Sequence, residues 1–202
     1  MGNQLACTLR HAGKTCSGKA LLESTEILFR GDTRLKIPFS AITSVSAANG
    51  ELHILTKDGL SVFGLGPQAP KWREKIANPK SVLDKLGVKP GQSVSLFGNF
   101  PADFLASLHQ QGTTVTINKV AKDTLCVFFL ANQKQQLRPL ASLAKSIQGS
   151  TALWLLYPKG QTSITESDVR SAGLRTGLVD IKVVSFSPTH TALKFVVRKS
   201  YR

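Results

Sequence analysis

Two short runs, Leu125–Leu130 and Ala152–Leu156, carry no polar side chain on either alternate set of positions. A strand that is apolar on both faces belongs in the interior of a sheet with a layer packed on each side, as parallel strands are. This fixes the second half of the chain as a layered α/β arrangement. Around these runs strand and helix patterns alternate. Val94–Phe97 suits a central strand, and Pro101 opens a helix towards Gln111 with Phe104, Leu105 and Leu108 inward. Thr113–Ile117 is β-branched and reads as a strand. Leu137, Leu140, Leu143, Ala144 and Ile147 mark an amphipathic helix with Arg138 and Lys145 outside. Thr165 to Asp168 forms a capping pattern for a helix ending near Gly173 or Gly177, and two extended runs, Val179–Phe186 and Ala192–Arg198, close the chain as a hairpin about Ser187-Pro188. The order predicts an open, mostly parallel, twisted three-layer sheet ending in an antiparallel hairpin.

The first sixty-odd residues have another rhythm. Leu5–Arg10, Glu26–Arg30, Leu35–Ile37, Glu51–Leu55 and Leu60–Phe63 are short runs broken at Gly31-Asp32 and Asp58-Gly59. Asp-Gly between alternating runs predicts a tight hairpin. A helix follows with Trp72 and Ile76 four apart on one face, ending at Asn78-Pro79. Ser81 to Asp84 then caps a short helix ending at Gly87. The fold class is α+β: a small antiparallel β module over residues 1–79 and an α/β module over residues 80–202.

Charge narrows the class of partner. The 202 residues hold 26 Lys or Arg against 12 Asp or Glu, a formal net charge of +14. Ten basic residues face six acidic ones up to Pro79, and sixteen face six beyond it, so most of the excess lies in the second module. Such a field attracts an acidic partner, protein or nucleic acid, or an anionic metabolite; a basic balance kept for solubility accounts for it equally. The basic residues are scattered, the tightest group being Arg198, Lys199 and Arg202, and aromatics do not interleave with them as on a base-stacking platform.

Other classes lose ground. Cys7, Cys16 and Cys126 lack zinc-site spacing and fit reduced thiols in a cytoplasmic setting. No run has the length and apolarity of a membrane span or the pattern of a signal peptide, and Ala6 stands where a myristoylation motif needs Ser or Thr. His11, His53, His109 and His190 lie in no metal motif, and there is no GxSxG nucleophile turn, so neither catalytic nor metal-binding residues are assigned. Glu166 with Asp168 reads as a capping pair, and Asp180 with Lys182 as a same-face surface pair.

In open α/β sheets ligands bind beyond the carboxyl ends of the strands. Two exits qualify: Gly98, Asn99 and Phe100, and Tyr157, Pro158, Lys159 and Gly160. Lys159 is placed to meet an anion with Gly160 allowing close backbone approach; the alternative is a plain turn with a solvated lysine. Gly98 stands alone where dinucleotide sites need several glycines, no Walker loop is present, and Val115–Val120 supplies no acid for a ribose hydroxyl.

Several stretches carry a resemblance. Lys85-Leu-Gly-Val-Lys-Pro-Gly91, Leu153-Trp-Leu-Leu-Tyr-Pro-Lys-Gly160, Gly177-Leu-Val-Asp-Ile-Lys-Val183 and Ala192-Leu-Lys-Phe195 resemble a bacterial domain family of unknown function, DUF3052. Leu22-Glu-Ser-Thr-Glu-Ile-Leu-Phe-Arg-Gly31 and Lys71-Trp-Arg-Glu-Lys-Ile-Ala-Asn-Pro79 resemble the pleckstrin-homology-like (PH-like) segment that accompanies it. The resemblance implies a Rossmann-like second module similar to class I methyltransferases and supplies no activity. The leading expectation is therefore a non-catalytic binding or adaptor protein on a degenerate methyltransferase-like scaffold, with no cofactor. The alternatives are a divergent S-adenosylmethionine-dependent methyltransferase and a basic nucleic-acid- or anion-binding protein.

Overall fold

The computed structural model describes residues 3–198. The chain divides into two compact units between Lys80 and Ser81, one residue past the boundary expected from the sequence. Met1-Gly2 and the basic tail beyond Arg198 lie outside the described residues. Among the described residues no helix is long and apolar enough to cross a membrane.

The first unit is a curled antiparallel sheet of β1 (Asn3–His11), β2 (Lys14–Leu22), β3 (Glu26–Gly31), β4 (Arg34–Pro38), β5 (Ile42–Ala48), β6 (Glu51–Thr56) and β7 (Gly59–Gly64), in the order β4-β3-β2-β1-β7-β6-β5. β1 pairs with β2 along its whole length but with β7 only through Leu9, Arg10 and His11. One face is apolar: Leu9, Ala20, Ile27, Phe29, Leu52, Ile54 and Phe63 are buried there. Helix α1 (Ala69–Ala77) closes that core with Trp72 and Ile76, the pair four residues apart. The hairpin at Asp58-Gly59 forms, with its two-residue loop one position earlier than expected. Thr56 pairs with Gly59, so Lys57 and Asp58 make the turn and Gly59 alone takes a positive φ, +115°. The Thr56 hydroxyl accepts Asp58 N–H at 3.2 Å, which stabilises this tighter geometry.

In the second unit, α2 (Val82–Leu86) starts at the expected capping box. The Ser81 hydroxyl accepts Asp84 N–H at 3.0 Å, and the Asp84 carboxylate accepts Ser81 N–H. Then follow β8 (Ser93–Phe97), α3 (Ala102–Gln110), β9 (Thr114–Ile117), β10 (Cys126–Leu130), α4 (Leu140–Ala144), β11 (Ala152–Pro158), α5 (Glu166–Leu174), β12 (Val179–Ser185) and β13 (His190–Val196). The sheet order is β12-β13-β11-β10-β8-β9, parallel from β9 to β11, with β13 inserted antiparallel between β11 and β12. Alternate residues feed two cores. Val94, Leu96, Phe128 and Trp154 meet α2 and α3 on one face, while Val127, Leu153, Leu155 and Phe195 meet α4 and α5 on the other. The both-face apolar runs are therefore the two central strands.

The helix expected over 137–147 is shorter. Pro139 lacks an N–H and breaks it into a 3-10 turn (Lys134–Leu137) and the five-residue α4, though Leu137, Leu140, Ala144 and Ile147 still face the core. The return from β9 to β10 is also unusual. Parallel strands are ordinarily joined by a dozen or more residues, usually a helix. Here residues 118–125 cross β8 as an irregular strap with a turn at Lys122-Asp123. Ser95, fully buried on β8, meets the Thr124 hydroxyl at 2.9 Å and accepts Ala121 N–H at 3.3 Å, while Leu125 N–H donates to the Ser93 carbonyl.

Candidate functional site

The strand order reverses at β8: the chain leaves it for β9 on one side, and β10 lies on the other. A crevice at the carboxyl ends of β8 and β10 is where such a sheet receives a ligand. Gly98 sits at its lip with φ +108°, and a Cβ there would lie 2.7 Å from the Leu130 carbonyl oxygen. The glycine thus lets the chain pass over the end of β10. Asn99 is exposed, whereas Phe100 turns inward and stacks on Phe104 at 5.6 Å. Of the three expected residues, one presents a polar side chain to solvent.

The second expected exit, that of β11, lies across β10 from the first. Tyr157 is buried, and its hydroxyl donates to Glu166 Oε2 at 3.2 Å. Burial and the neighbouring carboxylate push this phenol up to about 12. Pro158 pairs with His190 in the sheet, and Gly160 takes a turn conformation at φ +64°. Lys159 is engaged within the chain. Its ammonium donates to the Ser185 hydroxyl at 2.8 Å and to the Ser187 carbonyl at 2.6 Å, and its N–H donates to the Thr189 carbonyl. It pins the β12–β13 hairpin, because the antiparallel insertion of β13 carries that hairpin over the end of β11.

Between these exits lies Asn132, which sequence reasoning missed. Its N–H donates to Gln136 Oε1 at 2.6 Å, its carbonyl accepts the Ser163 hydroxyl at 3.2 Å, and its Oδ1 meets His190 Nε2 at 3.3 Å. The Gln133-x-x-Gln136 spacing, a capping box in the structure, was the available signal. Burial, with Lys159 nearby, lowers the His190 pKa and favours the neutral ring. Lys134 adds an ion pair to Asp168 at 2.6 Å, and this partner with the Thr165 cap holds that carboxyl down at about 2. At the end of β9 stand Asn118 and Lys119, both exposed, and no carboxylate.

Asp180 and Lys182 do not pair. A β-bulge at Ile181 breaks the alternation and sends them to opposite faces: Asp180 stands opposite Phe195 and binds Arg170 of α5, and Lys182 stands opposite Lys194 and donates to the Lys85 carbonyl at 2.7 Å. Arg170 also holds Glu166 at 2.7 Å and lowers its pKa, which links Tyr157, Glu166, Arg170 and Asp180 in one polar chain.

An open cleft of about 390 Å³ lies on the flank of the sheet, between α2, α3 and the β12–β13 hairpin. Asp103, Phe104, Gln111 and Phe186 line it, and Gln111 Oε1 is shielded from solvent without a hydrogen-bond donor. The cleft has room for a small molecule with an apolar face and one donor. Among the described residues no group of three or more His, Cys, Asp or Glu is arranged to hold a metal ion.

No family model and no curated protein matches the chain. Among solved structures it is similar to magnesium protoporphyrin IX methyltransferase from Synechocystis with bound SAM, at 16% identity over 58% of this chain and 74% of that one, TM-score 0.43. It is also similar to a TehB-like SAM-dependent methyltransferase from Corynebacterium glutamicum, at 10% identity over 64% of this chain and 96% of that one, TM-score 0.39. A third is the C-terminal domain of an unknown protein from Leishmania infantum, at 10% identity over 34% and 72%, TM-score 0.30.

Proposed function

We propose that the protein is a non-catalytic binding or adaptor protein whose second unit is a degenerate methyltransferase-like, Rossmann-like scaffold. One observation carries this reading: the polar groups at the exits of β10 and β11 are spent on one another. Asn132, His190, Lys159 and Ser163 lace the exit of β10 to the hairpin and to the approach of α5. Asn118 and Lys119 occupy the exit of β9, where a ribose-binding acid belongs. The first unit supports a PH-like reading through its seven sequential antiparallel strands closed by a helix, and membership of the DUF3052 family belongs to the same proposal. We place the protein in the cytoplasm, with an acidic protein or nucleic acid as its partner.

A divergent methyltransferase is the second reading, favoured by the reversal of strand order at Gly98. Differential scanning fluorimetry with S-adenosylmethionine and S-adenosylhomocysteine separates the two. A ligand at a hundred times its dissociation constant stabilises by about 2.7 kcal/mol, several degrees for a unit of this size. The binding-protein reading expects no shift. A saturable shift that disappears in Gly98→Val would establish the methyltransferase reading instead.

A further inference from the structure

The outer face of the first sheet carries a line of cations that the fold leaves unneutralised. Register sets Lys19 of β2 directly opposite Arg30 of β3, and Arg30 directly opposite Arg34 of β4. Alternation turns all three away from the core: Ala20 and Phe29 are buried, while Lys19, Arg30 and Arg34 are exposed. With neighbouring strands about 4.8 Å apart, three positive charges are attached within about 10 Å. Like charges placed directly opposite destabilise a sheet. Among the other cations of this unit Arg10 pairs with Glu51 at 2.8 Å, Lys36 with Glu26 at 2.9 Å and Arg73 with Glu74 at 3.1 Å, while Lys14, Lys57, Lys71 and Lys75 form no ion pair among the described residues. What sets Lys19, Arg30 and Arg34 apart is that they stand directly opposite one another. Among the described residues none of the three in the line is ion-paired, and Asp32 of the same hairpin accepts Ser17 N–H at 3.0 Å.

The next row on the same face is apolar. Leu21 stands opposite Leu28, both half-buried, with Lys36 beyond them on β4. No ring is available to stack a base, since Phe29, Phe63 and Trp72 are in the core and Phe39 packs against it. Cations beside leucines without aromatics match an extended segment with a carboxylate and an apolar side chain two residues apart, because alternate residues of an extended chain share one face.

We propose that the face formed by Lys19, Arg30 and Arg34 with Leu21 and Leu28 binds an acidic segment of a partner protein that carries apolar residues between its carboxylates. The surface belongs to the first unit and stands whether or not the second unit binds S-adenosylmethionine.

Fluorescence anisotropy of the full chain tests it with a labelled peptide of Asp-Ser-Leu-Ser repeats (the Asp-Leu peptide), which sets Asp and Leu on one face, against polyglutamate, duplex DNA and phosphatidylserine vesicles of matched charge. The Asp-Leu peptide is expected to bind most tightly, with an affinity that falls steeply with salt. The triple variant Lys19→Gln/Arg30→Gln/Arg34→Gln should lose at least tenfold, while Lys57→Gln/Lys71→Gln/Lys75→Gln, with the same change in net charge, should not. Leu28→Ser should weaken the Asp-Leu peptide and leave polyglutamate unchanged. Equal losses in the two triple variants, no peptide binding, or a preference for DNA or vesicles would each overturn the proposal. A second readout needs no ligand: Arg30→Gln should raise Tm at low salt by about 1–5 °C by relieving its two like-charge oppositions, with Lys19 and with Arg34. An unchanged or lower Tm would show that the line is already neutralised and would also overturn it.

Discussion

The first unit buries one face of its sheet and leaves the other to solvent, whereas the second buries both. That difference decides where each can carry function. In the first, most outward residues of the strands, Val62 apart, carry little packing, so Lys19, Arg30 and Arg34 can share a line without disturbing Ala20 or Phe29. In the second, alternate residues serve two cores, and chemistry is confined to the strand ends and the flanks.

The largest test of this contrast is Phe128→Ala. Phe128 is fully buried on a central strand, with the Phe104 ring at 5.7 Å, so its loss should cost about 3–5 kcal/mol in denaturant unfolding. Ser46→Ala on the exposed face of β5 should stay within about 0.5 kcal/mol. If the two costs were comparable, the one-faced and two-faced burial schemes would not differ as described.

Gly173→Ala probes the second layer more finely. A Cβ there would lie 2.3 Å from the fully buried Phe195 ring, so α5 touches the sheet through its backbone. Overpacking of this kind should destabilise by about 1–3 kcal/mol, although alanine is ordinarily the better helix former; a gain in Tm would refute the close approach.

The smallest effects are in pH dependence, and both arise in the second unit. Tyr157 has its pKa raised from 10.0 to about 12, so folding favours the neutral phenol, and the resulting stability is present below pH 10 and lost as pH rises through 12. Asp168 is lowered from 3.8 to about 2, so its contribution is present above pH 3.8 and lost as pH falls through 2. Tm measured against pH should flatten at the alkaline end in Tyr157→Phe and at the acid end in Asp168→Asn; unchanged slopes would show that these groups are not coupled to folding.

The same contrast explains what could be read before the fold was known. Runs that are apolar on both faces announce themselves, so β10 and β11 were legible, as were the caps at Ser81 and Thr165, where spacing alone defines the bond. One-faced strands with small or charged outer residues do not. β2, Lys-Thr-Cys-Ser-Gly-Lys-Ala-Leu-Leu, and β5, Ile-Thr-Ser-Val-Ser-Ala-Ala, lack a β-rich composition and went unread. Their turns did speak: Asn49-Gly50 takes positive φ at both positions, as a two-residue hairpin turn requires. At the rim, Gly98 directly follows β8, whereas Tyr157 still lies within β11 and pairs with Thr191. The engagement of Lys159 was hidden because it depends on a hairpin 26 residues further along the chain, and so was that of Asn132, which meets His190 at a separation of 58.

The strap over β8 bears on how this protein can change. Because residues 118–125 lie directly on Ser93 and Ser95, that face of the strand is polar and closely covered, and the Ser93 hydroxyl is buried without a partner. A helix inserted between β9 and β10 to widen the sheet would find hydroxyls where it needs methyl groups. Extension at this edge therefore demands coordinated replacement of Ser93, Ser95 and Thr124 with the insertion, a step of several simultaneous substitutions. Insertions that leave this packing undisturbed belong at the loop tips and flanks, with β9 kept as the outermost strand.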